Sequence, residues 1–411
     1  MQRYNKSGMI IIGGTYTEIC FEPRWDNMFG SGFRAVTLIS EYDANQQISF
    51  HTCCDKKTKD LLDYYMNLNP KLELCATEIS KSPTFYYDYP LKTPSIFPRP
   101  DSYSEDRTKL NVSGKNILAY GLIEASIQLE GEKVVYDPQS PVNPKSFSST
   151  GSKADKLIMI INLSEAQRIT NTSDIKEIRD FFFKKEKCFA LIVKMGAKGA
   201  FLFETENSDS INIPVYKTEQ IWPIGSGDVF TAFFAYNWFK GESLINSAIS
   251  ASKATAIYCN SKDLAIQFNL KSFSFPELTF DSVPEGQIYL AGPFFTFAQR
   301  WLVNEIWRTL KSFGLKVFSP YHDIGHGNAQ DVVQKDLVGL DKSEIVFAII
   351  DGLDSGTLFE VGYAIAQNKK IIAFVQNESE ESLKMLEGTN CLIESDLTTA
   401  IYKTYWNLGQ K

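Results

Sequence analysis

Two acidic residues in the last third of the chain, Asp354 and Glu360, are spaced like a carboxylate pair at the start of a helix. The pattern predicts a loop through Asp354 and a helix over 357–367, so both side chains can face one pocket. A solvated charge at Glu360 does not suit this helix, because the neighbours of Glu360 on it are apolar. These neighbours are Leu358, Phe359, Val361 and Ala364. In a pocket, one carboxylate can attack an anomeric carbon while a second acidic group handles the proton of the leaving group. The helix dipole alone also favours an acid near a helix N-terminus, so both interpretations stay open.

A second motif lies in the middle of the chain, where Gly225-Ser226-Gly227-Asp228 leads into a predicted helix. Backbone N–H groups of such a turn can hold an anion at the helix N-terminus and stabilise a transferring phosphoryl group. Asp228 could accept a proton from a substrate hydroxyl as that hydroxyl attacks. Many helices begin with glycine and a capping acid, so the motif also fits an ordinary helix start.

The elements that would position these groups read as alternating strands and helices. Residues 9–14 and 288–292 are β-type runs that end in glycine, which is how an α/β domain opens. Further strands are predicted at 134–136, 157–161, 190–194, 200–203, 317–318, 345–350 and 371–375. Helices are predicted at 228–238, 243–258, 296–313 and 329–341, besides 357–367. This alternation predicts mostly parallel sheets with ligands at the carboxyl ends of the strands.

Three stretches interrupt this alternation. Residues 83–103 are predicted to be a loop or an edge hairpin, and residues 141–152 a second loop. The polar, proline-bearing stretch 271–286 is predicted to be a linker between a domain over 1–270 and another over 287–411.

Composition restricts the class of protein. A chain of 411 residues is too long for one typical core, which favours two domains. A net charge of −7 without a basic run argues against nucleic acid as a partner. The apolar runs are too short to span a membrane, and no export signal is visible, so we expect a cytoplasmic protein. The seven cysteines show no metal-ligand spacing and are expected to be reduced thiols.

Residues 287–397 resemble the nucleoside 2-deoxyribosyltransferases. The resemblance is carried by the run 288–295, by Asp336-Leu337 in a helix, and by the block 354–364. It implies that Glu360 attacks the sugar and holds it as a covalent glycosyl-enzyme, with no cofactor. It also implies that Asp354 positions sugar and base, that Asp336 handles protonation of the base, and that Tyr289 orients the nucleophile.

The same resemblance implies the rest of this pocket. Substrate contacts are expected from Gly292, Phe294, Gly356 and Asn390. Asn390, in Gly388-Thr389-Asn390, would reach a neighbouring subunit's pocket, so the protein should be at least a homodimer. No arginine-bearing phosphate clamp is evident after Gly292, which favours a nucleoside over a nucleotide. His322 and His326 are expected to be ordinary loop residues.

Residues 9–258 resemble the ribokinase-like (PfkB) sugar and nucleoside kinases. Gly225, Ser226 and Gly227 match the family's anion hole, and Asp228 matches its catalytic aspartate. The Asn162-Leu163-Ser164-Glu165 run matches the element that organises Mg²⁺ and phosphate, and the run 194–200, with Lys198 and Gly199, matches the ATP side. No direct metal ligand is expected beyond the Asn162 and Glu165 region.

The sugar side of this family departs more from its usual pattern. Gly30 and Gly32 match reduced sugar-contacting glycines, and Glu18 stands where an aspartate normally grips sugar hydroxyls. The stretch 14–30 leaves little room for the family's lid.

Together these features predict two doubly wound, mostly parallel α/β domains, the first ribokinase-like and the second of Rossmann or flavodoxin type. The function they predict is N-glycosidic cleavage or base exchange on (2-deoxy)nucleosides, joined to phosphorylation of a nucleoside or pentose with ATP and Mg²⁺. The alternative is a nucleotide hydrolase, acting for example on NAD, that a catalytically silent kinase-like sensor gates.

Overall fold

The computed structural model describes residues 8–103, 108–140, 143–325 and 328–408, without the side chains of Ala329 and Asp331. The chain divides into two compact units. The N-terminal unit holds Met1–Thr218 and Trp222–Thr279, and the C-terminal unit holds Glu219–Ile221 and Phe280–Lys411. No helix in the described ranges has the length and apolar character to cross a membrane.

The N-terminal unit combines strands of mixed length with helices between them. Its strands are β1 (Met9–Ile12), β2 (Thr17–Cys20), β3 (Trp25–Met28), β4 (Ile48–Cys54), β5 (Leu72–Glu78), β6 (Thr84–Tyr87), β7 (Ser95–Phe97), β8 (Thr108–Tyr120), β9 (Ala125–Asp137), β10 (Lys153–Asn162), β11 (Ala190–Lys194), β12 (Ala200–Phe203), β13 (Ile211–Ile213), β14 (Val215–Tyr216) and β15 (Glu277–Leu278). Its helices are α1 (Gly30–Tyr42), α2 (Lys56–Asn67), α3 (Leu163–Thr170), α4 (Ile175–Lys184), α5 (Ser226–Lys240), α6 (Leu244–Ser261) and α7 (Gln267–Lys271).

The main sheet of this unit has the order β13-β12-β11-β10-β9-β8-β1-β4-β5, parallel from β11 to β5 and antiparallel at β12 and β13. Its central strands are buried on both faces. Ile11 packs into the cluster on one face, and Ile10 and Ile12 pack into the cluster on the other. Burial on both faces explains why β1 is a continuous apolar run, and it confirms the doubly wound α/β prediction.

A second, four-stranded sheet has the order β3-β2-β6-β7. Strands β6 and β7 form an antiparallel hairpin, as one of the two predictions for 83–103 had it. Strands β2 and β3 come from the stretch 14–30, and β2 also pairs with β6, which follows some sixty residues later in the chain. The expectation that this stretch leaves little room for a lid stays a prediction.

The described part of the C-terminal unit has one five-stranded parallel sheet. Its strands are β16 (Gln287–Ala291), β17 (Lys316–Phe318), β18 (Ile345–Ile349), β19 (Lys370–Phe374) and β20 (Cys391–Glu394). Its helices are α8 (Phe297–Ser312), α9 (Pro320–Asp323), α10 (Ala329–Asp341), α11 (Ser355–Ala366), α12 (Glu380–Glu387) and α13 (Leu397–Leu408). The order β17-β16-β18-β19-β20 is the flavodoxin-type arrangement, whose ligands bind beside the carboxyl ends of the first and third strands.

Part of the predicted linker is ordered as a strand. Within 271–286, β15 pairs antiparallel with β14 of the N-terminal unit. The sharper boundaries 1–270 and 287–411 stay a prediction.

Candidate active sites

The centre of the C-terminal site is a contact between a strand and a helix. Tyr289 lies in the middle of β16 and is fully buried, and its hydroxyl donates a hydrogen bond of 2.6 Å to Oε1 of Glu360. Glu360 lies in the second turn of α11, the helix that follows β18. The two groups therefore meet at the crevice that opens between β16 and β18, where the order of the strands in the sheet reverses.

Burial changes the acidity of Glu360. Burial, the largest cause, together with the negative charges of Asp336 and Asp354, raises the pKa of Glu360 to about 7, and the hydrogen bond from Tyr289 opposes this. Burial also raises the pKa of Tyr289, which keeps its hydroxyl protonated as a donor. Glu360 is thus a half-buried carboxyl group that exchanges its proton near neutral pH.

Asp336, on α10, is the second acid of this site. Burial raises its pKa to about 6. Its Oδ1 atom is buried and accepts no hydrogen bond from any described residue. The charge of Asp336 contributes to the raised pKa of Glu360, and because the pKa of Asp336 is the lower one, the two acids together hold a single proton between about pH 6 and pH 7.

Asp354 has a structural role that the sequence left open. It is the N-cap of α11, and its Oδ2 accepts hydrogen bonds from the backbone N–H of Thr357 at 2.9 Å and from its hydroxyl at 3.0 Å. Gly356 lies against this cap, since a Cβ there would be 3.1 Å from the same oxygen. The negative charge of Asp354 nevertheless contributes to the raised pKa of Glu360.

The apolar surroundings expected for Glu360 are only partly present. Val361 and Ala364 pack into the core of the unit. Leu358 and Phe359 instead lie on the exposed side of α11, so that part of the prediction was wrong. A helix that carries apolar residues on two sides can pack only one of these sides against its sheet.

The loop after β16 forms the next part of this region. Gly292 packs on β18, where a Cβ would lie 2.9 Å from Cδ1 of Ile349. The ring of Phe294 stacks with that of Phe295, at 5.5 Å between centroids. Sequence reasoning overlooked Arg300, whose guanidinium donates to the carbonyl of Phe295 at 3.0 Å and to that of Phe294 at 3.4 Å.

Two further predicted positions lie in this unit. Asn390 is exposed in the turn before β20, and its place in a neighbour's pocket stays a prediction. His322 lies in α9 and not in a loop; its ring stacks on that of Trp307 at 4.3 Å, and its Nε2 lies 2.9 Å from Oδ1 of Asn304. His326 lies outside the described residues.

In the N-terminal unit, a cavity of about 430 Å³ gathers most of the predicted kinase residues, and we call it the N-terminal cavity. The predicted residues that line it are Glu18, Gly30, Asn162, Glu165, Gly225, Ser226, Gly227 and Asp228. Three others are absent from its lining: Gly32, Lys198 and Gly199. Gly32 instead lets α1 approach β1, because a Cβ there would lie 2.6 Å from the carbonyl carbon of Gly13. The Lys198 ammonium lies 4.5 Å from the centre of the Phe201 ring.

Asp228 is held from several sides. Arg34, which sequence reasoning overlooked, donates from Nη1 to Asp228 Oδ2 at 2.6 Å and from Nη2 to Glu18 Oε2 at 2.5 Å. Gln139 donates to the other oxygen of Asp228. The sequence held one signal for this role, since Arg34 is the single charge in the apolar run of α1. A buried arginine requires carboxylate partners, so such a position predicts acidic residues nearby.

Asn162 and Glu165 form a capping box at the start of α3. Burial, followed by the charge of Asp137, raises the pKa of Glu165 to about 7, while Lys194 opposes this. Lys194 is paired with the buried carboxylate of Asp137, and a Cβ on Gly227 would lie 3.2 Å from its ammonium. The ammonium therefore lies at the N-terminus of α5, where an anion would bind, and the role expected of Lys198 stays a prediction.

No group of three or more histidine, cysteine or acidic side chains among the described residues is arranged to bind a metal ion. The residues present do fit Mg²⁺ held together with a nucleotide, because Mg²⁺ needs only one or two carboxylates besides phosphate oxygens and water. Glu165 lines the N-terminal cavity, and Oδ1 of Asp137 is a buried oxygen that accepts no hydrogen bond from the described residues.

Comparison with known proteins agrees with this division. Residues 120–269 match the family model of pfkB carbohydrate kinases, and residues 288–395 match that of the nucleoside 2-deoxyribosyltransferases. The chain therefore joins a kinase-type segment to a deoxyribosyltransferase-type segment, which confirms both resemblances. Glu18 and Gly30 lie outside the first match, whereas Asp228 lies within it.

Several solved structures are similar to this chain. A nucleoside kinase of Methanocaldococcus jannaschii is 16% identical, with a TM-score of 0.49, over 65% of this chain and 98% of that one. A ribokinase of Thermotoga maritima is 15% identical, with a TM-score of 0.47, over 65% and 98%. An adenosine kinase of Sinorhizobium meliloti is 10% identical, with a TM-score of 0.48, over 66% and 100%. No curated protein sequence matches significantly.

Proposed function

We propose that the chain is a bifunctional enzyme of nucleoside metabolism. The C-terminal unit would cleave or exchange the N-glycosidic bond of a (2-deoxy)nucleoside through Glu360. The N-terminal unit would phosphorylate a nucleoside or pentose with ATP. The observation that carries the proposal is the 2.6 Å hydrogen bond from Tyr289 to Glu360, in a site where Asp336 is the second acid.

In the C-terminal unit, ionised Glu360 forms a bond to the anomeric carbon as the bond to the base nitrogen breaks. Protonated Asp336 gives its proton to the departing base, so that charge does not accumulate on the leaving group. Tyr289 holds Glu360 in the attacking orientation. A second base, or water, then displaces Glu360 from the sugar, and Asp336 recovers a proton.

In the N-terminal unit, Asp228 accepts the proton of the acceptor hydroxyl as that oxygen attacks the terminal phosphorus of ATP, and ADP leaves. The amides at the start of α5 and the Lys194 ammonium offset the charge that develops on the transferred group. Mg²⁺, held by Glu165 and Asp137 with the nucleotide, would supply further positive charge there.

The alternative has its own observation. Both oxygens of Asp228 already accept hydrogen bonds, from Arg34 and Gln139, which suits a silent sensor unit that gates a nucleotide hydrolase. Arg300 near the loop after β16 keeps nucleotides among the candidate substrates.

One experiment separates the two. The full chain is incubated with nucleosides and nucleotides, with and without an acceptor base and ATP, and the products are resolved by chromatography. Base exchange on nucleosides together with a phosphorylated product supports the proposal. Cleavage of nucleotides alone, without transfer from ATP, supports the gated hydrolase.

A further inference from the structure

Arg34 is fully buried in the second turn of α1 and joins three elements. Its two terminal nitrogens bind Glu18 on β2 and Asp228 on α5. The guanidinium lies 5.0 Å from the centre of the Phe29 ring, and Gly225 leaves room for it, because a Cβ there would be 2.2 Å from Cζ. A glycine at Gly225 is therefore required both by its φ of +78° and by this side chain.

The charges around Arg34 do not cancel. Two carboxylates face one guanidinium, and among the described residues the other donors to them, Gln139 and the backbone N–H of Gly30, are neutral. Without Arg34, Glu18 and Asp228 would be two buried acids in one site, and such a pair cannot remain fully ionised.

Other titratable groups near this cluster do not replace the guanidinium. Burial raises the pKa of three tyrosines that interact with it: Tyr87, Tyr120 and Tyr258. These tyrosines are therefore neutral. Lys194, whose ammonium lies near Gly227 at the start of α5, is already paired with Asp137.

We propose that Arg34 is a positioning residue for phosphoryl transfer in the N-terminal unit. Its positive charge stabilises the carboxylate of Asp228 and fixes it at the cavity wall, and it holds Glu18, and with it the small sheet, beside the same cavity. This inference rests on the proposed kinase function.

The test compares three variants of the full chain by their pH–rate profiles for ATP-dependent phosphorylation. R34M removes the charge, R34K keeps it without the two-armed fork, and R34M/E18Q removes one carboxylate together with the guanidinium. In R34M we expect kcat to fall at least ~10-fold and the rising limb of the profile to move to higher pH, because the acid pair retains a proton. R34K should lie between R34M and the wild type.

The double variant is the matched control. Its limb should return towards that of the wild type, although its KM for the acceptor rises because Glu18 is lost. A merely structural role for Arg34 would lower the yield of folded protein and leave the limb in place. An unchanged limb in R34M, with kcat within twofold of the wild type, would overturn the proposal.

If the wild type phosphorylates no acceptor, the proposed kinase function fails, and heat unfolding decides the claim for Arg34. The two units can unfold in separate transitions, and the one whose temperature changes in E18Q is assigned to the N-terminal unit. This transition is followed at pH 5 and pH 8. R34M should lower the unfolding temperature more at pH 8 than at pH 5, because the two carboxylates repel each other more at the higher pH. Adding E18Q to R34M should reduce this loss. An equal loss at the two pH values would overturn the account of Arg34 as well.

Discussion

At the scale of single residues, Glu360 and Asp336 are the two acids of the C-terminal site. Their pKa values, about 7 and about 6, are raised mainly by burial, and the charge of Asp336 also opposes ionisation of Glu360. The productive form holds one proton, on Asp336, and it is the less populated of the two one-proton forms because the pKa of Asp336 is the lower one. We therefore expect base release to follow a bell-shaped pH profile with its maximum between about pH 6 and pH 7.

The variant D336N tests whether Asp336 is the acid whose loss of a proton causes the alkaline limb of the pH profile. An amide cannot give a proton to the base, so the rate should fall and the alkaline limb should disappear. An alkaline limb that persists in D336N would show that another group protonates the base.

The hydroxyl of Tyr289 is the second prediction at this scale. Its hydrogen bond favours the ionised form of Glu360, so Y289F should lower kcat by roughly 10- to 100-fold and move the alkaline limb, which follows the higher of the two pKa values, to higher pH. Steady-state rates between pH 5 and pH 9 measure both effects. A lower rate with an unmoved limb would mean that Tyr289 positions the substrate and not Glu360.

At the scale of elements, α11 joins structure to chemistry through Asp354, and one substitution separates its two roles. Serine also caps helices, so D354S should keep the free energy of unfolding within about 0.5 kcal/mol of the wild type, whereas D354A should lose about 1 kcal/mol. If the charge of Asp354 positions substrate, D354S should still lose base release. A fully active D354S would leave Asp354 as a cap alone.

The elements also show what could be predicted from the sequence. Strands such as β1 and β18 were predictable because burial on both faces makes them continuous apolar runs. Strands β2 and β3 were missed because they are short and carry polar residues such as Glu18 and Asp26. Arg34 could not be linked to Asp228 because 194 residues separate them, and no local pattern records such a contact.

At the scale of the whole molecule, the two proposed activities use different residues. D228N should remove phosphorylation, because an amide cannot accept the proton of the hydroxyl, while ATP still binds to the amides at the start of α5. Base release should stay within about twofold of the wild type. Calorimetry for ATP and chromatography for base release make the comparison, and slower base release in D228N would mean that the two activities are coupled.

The association state is the other prediction at this scale. Large apolar side chains lie exposed on the C-terminal unit, with Phe297 at 81% and Met385 at 83% exposure, and association would bury such surfaces. Light scattering should find at least a dimer. If Asn390 completes a neighbour's pocket, mixing inactive E360Q with inactive N390A should restore about a quarter of the wild-type sites in a two-fold dimer. An active monomer, or no recovery on mixing, would contradict this.

The central claim is that Glu360 forms a bond to the sugar, and trapping that bond tests it most directly. The wild type is quenched in acid after mixing with a 2-deoxynucleoside in the absence of an acceptor base, digested, and mapped by mass spectrometry. We predict a peptide heavier by one sugar residue, with the modification on Glu360, and no such peptide from E360Q, whose turnover should be lower by at least ~10³-fold. An adduct on Asp354, or an E360Q variant that turns over at nearly the wild-type rate, would contradict the account.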